Sequence, residues 1–408
     1  MLNVVILNGG RGAAGVIPAL LAKPGLNVTS VVNAYDDGKS TGEIRRFFGM
    51  LGPSDIRKVQ ELMLAPEDPD YGANLHVFQY RFPLSAERSE VYNSLRDFAN
   101  GRREDLAGAR FLNNNVHSAL QVFVDEFLVG LSAIEKVQNE EFSFSDCSIM
   151  NCVYAGAFLR FNRNIEQATL FIDRLFKLRG SVLPTSIENK QLVGLRENGQ
   201  VLYCEAEIVE LRSNVRIDRV FLLDKSLDPT QFEKLSPAEK RYYLDRHHCY
   251  VAVSEGVRLA LQQADIIIYS AGTQHSSLYP TYLSAGLAES IADNKMALKA
   301  FITNIGADYE TPTYKASDYI IGAHKYLNLS DARKYSMEEL FDVVLINKSY
   351  LKADETYVEL DEAEFSDMPV KCLIDSFESL DQPGKHNGDK IVQVILDLYE
   401  SKTTLSPV

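Results

Sequence analysis

Apolar residues follow two rhythms along this chain, and the switch between them marks its parts. Residues 4–7 (VVIL) and 28–32 (VTSVV) are near-continuous β-branched runs, separated by the periodic segment VIPALLAK. Runs that hardly alternate belong to strands covered on both faces, so they predict a parallel strand–helix–strand unit. From 55 to 180 the period becomes three to four. DIRKVQELML, SEVYNSLRDFAN, VHSALQVFVDEFLVGL and NCVYAGAFLRFNRNIEQATLFIDRLFKL each carry an apolar helical stripe. APEDPDYGAN, between the first two, is rich in Pro and Asp and predicts a loop.

After Gly180 the texture changes again. QLVGLRENGQVLYCEAEI sets two strand-like runs around Asn198-Gly199, a hairpin signal, and RIDRVFLLD supplies another strand. A small antiparallel β excursion is therefore expected over 181–225. Strand–helix alternation returns over 250–350 in VSEGVRLALQQA, DIIIYSAG, AGLAESIADN, KAFITNI and DVVLIN, and GDKIVQVILDLYE closes the chain as a helix. The expected fold class is α/β, with one domain spanning 1–408. Its core is a doubly wound, mostly parallel Rossmann-like sheet carrying a helical insertion at 55–180 and the β excursion.

Composition narrows the function more than the fold. The 408 residues are 46% apolar and 24% charged, ordinary for a globular protein, with a formal net charge of −14. That acidity argues against a nucleic-acid partner, which needs a basic face, but leaves room for a local anion pocket. MLNVVILNGG has no basic leader before its apolar run and reads as a first buried strand, not a signal peptide. No apolar run approaches the ~18 residues of a membrane span, so no membrane partner is expected. Five scattered cysteines and seven histidines show neither zinc-like spacing nor an HExxH motif. Reduced thiols and a cytoplasmic location are the expectation, and the sequence leaves a homo-oligomer open.

The candidate chemistry sits in loops after predicted strands, the edge at which open α/β sheets bind ligands. Gly9, Gly10, Arg11 and Gly12 follow the first strand, where glycines let backbone N–H groups approach an anion. The same four residues also suit a tight strand-to-helix turn. After the second strand comes YDDGKSTGEIRR. Asp36 and Asp37 are the oxygen ligands Mg²⁺ prefers, and Lys39, Ser40 and Thr41 offer donors to phosphate. Ser40 or Thr41 equally suits an N-cap. Ser54 or Asp55 in GPSDIRK fits a helix cap, and Arg57 follows. SAGTQHSSLYP, after the strand DIIIYS, brings Gly272, Thr273, His275, Ser276 and Ser277, and TNIGADYETP adds Asn304, Glu310 and Thr311.

Taken together and in this order, these stretches resemble the CofD family, and within it the YvcK-like branch. Asn8 to Gly12 is similar to its GGGTG-type loop, Tyr35 to Arg46 to its ADDGGSSGRLRR-type stretch, and Gly52 to Lys58 to its PPGDIRN-type segment. LRGSVLPTS, ADIIIYSAGTQHSSLYP and NIGADYET resemble its later motifs, so the likeness runs nearly end to end. The resemblance implies a nucleoside-diphosphate-linked small-molecule ligand. In the YvcK-like branch this is a UDP-sugar and the role regulatory. In CofD itself it is a Mg²⁺-dependent transfer of a 2-phospholactyl group to a deazaflavin alcohol. In that transferase reading Asp36 and Asp37 hold Mg²⁺ and act in catalysis, while Lys39 and Arg11 offset phosphate charge. A Rossmann-type oxidoreductase is the weaker third reading, because the acids after the second strand lie inside a phosphate-like loop. The chain departs from the family pattern at Arg11, where the family has Thr, and at Lys39, where it has Gly. The family's HSLGN motif is reduced to Cys147-Ser148-Ile149-Met150-Asn151, which keeps Ser148 and Asn151.

Overall fold

Each β-branched run identified above becomes a strand of one seven-stranded sheet in the computed structural model, which describes residues 1–10, 12–103, 105–349 and 356–405. The strands are β1 (Leu2–Asn8), β2 (Leu26–Val32), β3 (Ser181–Pro184), then β7 (Ile266–Tyr269), β8 (Leu298–Ile302), β9 (Val343–Asn347) and β10 (Lys371–Asp375). Their order is β10-β9-β8-β7-β1-β2-β3, and every pairing is parallel. The order reverses at β1, with β2 on one side and β7 on the other, which makes the carboxyl end of β1 the topological switch point. Val4 to Leu7 and Ile266 to Tyr269 are at most 1% exposed, as expected for strands covered on both faces.

Between β2 and β3 run α1's successors in the helical insertion. With α1 (Val16–Ala22) the series is α2 (Lys39–Phe48), α3 (Ser54–Met63), α4 (Tyr71–Gln79), α5 (Arg88–Ala99), α6 (Asn114–Gln138), α7 (Ile149–Arg160) and α8 (Ile165–Leu175). The YGAN end of the expected loop is the first turn of α4. Helices α6 and α7 cross closely at Gly156, where a Cβ would run into the Phe123 backbone. By length and mean hydropathy (1.2), α6 is the one described helix that could cross a membrane. Its Phe123, Val124, Phe127 and Leu131 pack into the domain core.

Three expectations change. The edge strand β3 belongs to the main sheet, so the antiparallel part begins only at β4 (Gln191–Arg196), pairing with β5 (Val201–Leu202) and β6 (Ile217–Leu223). CEAEI, expected to continue the hairpin, forms helix α9 (Glu205–Glu210) instead. Tertiary contact wins here: Asp37 accepts the first free N–H groups of that helix. The sheet also extends past residue 350. The last strand, β10, half exposed and short, has no continuous apolar run to reveal it.

Candidate functional site

The carboxyl ends of β1, β2 and β7 open into a cleft of about 1320 Å³. Its floor is the glycine loop. A Cβ at Gly12 would stand 2.5 Å from the Ala271 carbonyl oxygen and 2.8 Å from Gly272 Cα, while one at Gly10 would meet the Asp55 carboxyl and the Lys58 stem. Glycine is thus required here for close backbone approach, before any ligand is considered. Gly9 meets Ser277 in the same way. Arg11 lies outside the described residues.

The loop after β7 is tied down from several sides. Asn304 accepts the Gly272 N–H (3.0 Å) and donates to the Gly272 carbonyl (2.9 Å), Thr273 donates to Ser277 (2.9 Å), and Asn33 donates to the Ser276 carbonyl (2.8 Å). Residues Gln274–Leu278 form a π-helical turn, a geometry frequent at functional sites. Glu310 clamps its start, accepting the N–H groups of His275 and Ser276 (both 2.9 Å) and the Ser276 hydroxyl. Burial, then the nearby Asp308, raises the Glu310 carboxyl to about 8. Gly272, Thr273, Ser276, Ser277 and Asn304 line the cleft. His275 does not. It is buried edge-on against Tyr279, and burial pushes its ring down to about 3.

The segment after β2 divides between cleft and scaffold. Asp36, Gly38, Lys39 and Thr41 line the cleft. The Asp36 Oδ1 accepts the Gly38 N–H at 2.9 Å. Asp37 turns away: its two carboxylate oxygens accept the N–H groups of Ala206 (3.0 Å) and Glu205 (3.3 Å) at the start of α9. Helix α2 starts at Lys39 behind Gly38 with no side-chain cap. Ser40 is buried and accepts from Asn151 (3.2 Å), so both of those residues brace α2 on α7 and stay out of the cleft. Arg45, 4% exposed, holds the segment's path by donating to the carbonyls of Tyr35 (2.6 Å) and Lys190 (2.6 Å) and to Asn189 (2.9 Å).

The second wall comes from α3, which begins at Ser54 behind Pro53, again without a side-chain cap. Asp55 and Arg57 line the cleft from its first turn. Asp55 takes an ion pair from Lys58 at 2.7 Å, and burial outweighs that pair in raising its carboxyl.

Three contributors carry no motif in the sequence: Arg81, Asp146 and Glu205 reach the cleft from the helical insertion and from α9, while Lys58 ends the GPSDIRK segment, whose sequence points only to Ser54, Asp55 and Arg57. Burial, with repulsion from Asp36, Asp55 and Asp37, raises Glu205 to about 9, so it carries a proton at neutral pH. The run 379–387 and the first residues, Gly388 and Asp389, of the C-terminal helix Gly388–Leu405 supply a further wall. Among the described residues no group of three His, Cys, Asp or Glu side chains is placed to hold a metal ion. With Asp37 engaged at α9, the donor set fits Mg²⁺ only as a site shared with phosphate oxygens, the usual way proteins bind this ion.

Known proteins agree with this architecture. The chain is 25% identical over 403 residues to a gluconeogenesis factor of Listeria innocua, covering 98% of this chain and 96% of that protein. It is 25% identical over 399 residues to the one of Halalkalibacterium halodurans (97% and 96% covered). With the Bacillus subtilis gluconeogenesis factor the identity is 22% over 404 residues, covering 98% of each chain. The crystal structure of the Bacillus halodurans protein BH3568 superposes with a TM-score of 0.66 at 21% identity, covering 97% of this chain and 99% of that one. These relatives are in line with the YvcK-like branch. The family model described as 2-phospho-L-lactate transferase CofD matches residues 4–378, and the chain belongs to the CofD family.

Proposed function

We propose that the chain binds a nucleoside-diphosphate-linked small molecule, of the UDP-sugar type, in the switch-point cleft, and that it serves a regulatory role in the cytoplasm. One observation carries the reading. Gly9 and Gly12 meet the 272–277 loop at the switch point beside the N-termini of the ten-residue helices α2 and α3. The first-turn N–H groups of α2 and α3 and their helix dipoles favour an anion there, such as a diphosphate. The gluconeogenesis-factor relatives support regulation.

In this reading Asp36 would hold Mg²⁺ together with the diphosphate. When bound, the ion would offset phosphate charge. Ser277, whose hydroxyl oxygen accepts from Thr273, keeps its own O–H to donate to a phosphate or sugar oxygen, and Lys58 adds positive charge near Asp55.

A second reading, a CofD-like transferase, draws on the carboxylates of Asp36 and Asp55 beside one cleft. An acceptor alcohol attacking phosphorus must give its proton to such a group as nucleoside monophosphate leaves. Thermal-shift titration with nucleoside diphosphates and UDP-sugars, with and without Mg²⁺, tests the proposal. Ligand at a hundred times its Kd should stabilise the fold by about 2.7 kcal/mol. No shift from any of them would overturn it. Ligand recovered intact in the presence of alcohol acceptors would eliminate the transferase reading.

A further inference from the structure

Arg57 is a buried charge without a counter-charge. It is 7% exposed, its Nη1 donates to the Phe78 carbonyl at 2.7 Å, and its Nε is buried with no partner. Among the described residues no carboxylate lies within ion-pair distance of it, although Asp36 and Glu61 are near enough to be felt. A buried guanidinium left in this state costs several kcal/mol unless something else answers it. Its near neighbour is a second guanidinium, Arg81, which adds to burial in lowering Arg57's basicity.

A third cation, Lys39, stands at the mouth of the same cleft, 73% exposed. Among the described residues its one ion pair is with Asp146 (3.3 Å), which Arg81 also holds through Nε at 2.6 Å. Three cations therefore share one directly bonded carboxylate. The backbone adds an independent sign: Lys39 and Asp146 both adopt left-handed conformations, φ 48 and 51. Non-glycine residues rarely sit there, and such strain gathers at ligand sites. Nothing packs on the Lys39 side chain to demand it.

We propose that Arg57, Arg81 and Lys39 form a second anion subsite within the cleft that receives an acidic group on the non-nucleotide part of the ligand. Asp146 is the resident counter-ion that gives up Lys39 when this group docks. The flat guanidinium forks suit two-point contact with such a group. The inference rests on the proposed nucleotide ligand and names the chemistry of its far end.

Calorimetric titration with two matched pairs tests it: UDP-glucose against UDP-glucuronate, and GDP-mannose against GDP-mannuronate. The acidic member of at least one pair should bind about tenfold tighter or more, a difference near 1.4 kcal/mol. Lys39→Gly and Arg81→Gln should each shrink that ratio towards one, and Arg81→Gln should leave the affinity for the neutral member within about twofold. A ratio lost in only one variant would assign the subsite to that residue. Neutral and acidic members binding alike in the unaltered protein, or a ratio that survives both substitutions, would overturn the subsite alone. If neither pair binds at all, the nucleotide reading falls and takes this one with it.

Discussion

Lys39 offers a test in which the backbone can be separated from the charge. A residue with a Cβ in the left-handed region carries a cost of roughly 1–2 kcal/mol, and Lys39 sits there at φ 48. Lys39→Gly removes that cost but gives the unfolded chain more freedom, worth about 0.5–1 kcal/mol. Lys39→Ala keeps the strain. Both variants lose the same exposed pair with Asp146, worth about 0–0.5 kcal/mol, so it cancels from the comparison. The glycine variant should therefore be more stable than the alanine variant by about 0.5–1 kcal/mol. In urea, with m near ~3 kcal/mol/M for a chain of this size, the midpoints should differ by about 0.2–0.3 M. An alanine variant as stable as the glycine one, or more so, would refute the strain argument. It would also remove the backbone support for the second subsite.

Asp37→Ala should lower stability by about 1–2 kcal/mol through the lost cap on α9, read as a drop in Tm, and leave any Mg²⁺-dependent ligand shift in place. Asp36→Asn should do the reverse, and an unchanged Mg²⁺ dependence would remove its assigned role. Glu205, raised to about 9 from an unfolded value near 4.5, stays protonated in the fold while the unfolded chain ionises. Its contribution is complete below about pH 4.5 and is lost as pH rises towards 9. Glu205→Gln should therefore gain on the unaltered protein between pH 5 and pH 8 in denaturant midpoints, and a constant difference would contradict the shift. Gly12→Ala should cost roughly 1–3 kcal/mol, because the obstruction is backbone at Ala271 and Gly272 that cannot swing aside; wild-type stability in a melt would sink that account.

How much of this was legible in the sequence follows from what sets each element. Strands β1, β2 and β7 sit in the middle of a sheet covered on both faces, so their sequences are near-continuous apolar runs and their loops fall where the pattern ends. The family words mark the glycine loop and the segment around Asp36 for the same reason. Residues brought in by packing carry no such mark. Arg81 and Asp146 belong to the connections between helices of the insertion, Arg81 in an isolated bridge with Ser148, and α9 occupies a stretch whose alternation suits a strand. Neighbouring residues in one motif also part company: Asp36 enters the cleft while Asp37 caps α9, and Thr41 lines the cleft while Ser40 braces α7. Sequence adjacency names the segment; side-chain direction is settled by what packs behind it.

Charge accounting around the cleft floor then constrains how Mg²⁺ could act. Four carboxyls crowd the region, and three are already answered. Asp37 is held by the N–H groups of α9, Asp55 by Lys58, and Glu205 keeps its proton through burial. Of these four, Asp36 is the one left facing the cleft as an unanswered carboxylate among the described residues, one oxygen meeting only the Gly38 N–H. One carboxylate with water is a poor Mg²⁺ site; one carboxylate with two phosphate oxygens is an ordinary one. Metal and diphosphate should therefore bind as a pair, each raising the other's affinity by the same factor, as linkage requires. Mg²⁺ alone should leave the melting temperature unmoved, and a shift by the metal without nucleotide would mean that a second carboxyl, Asp55 or Glu205, is released to join Asp36.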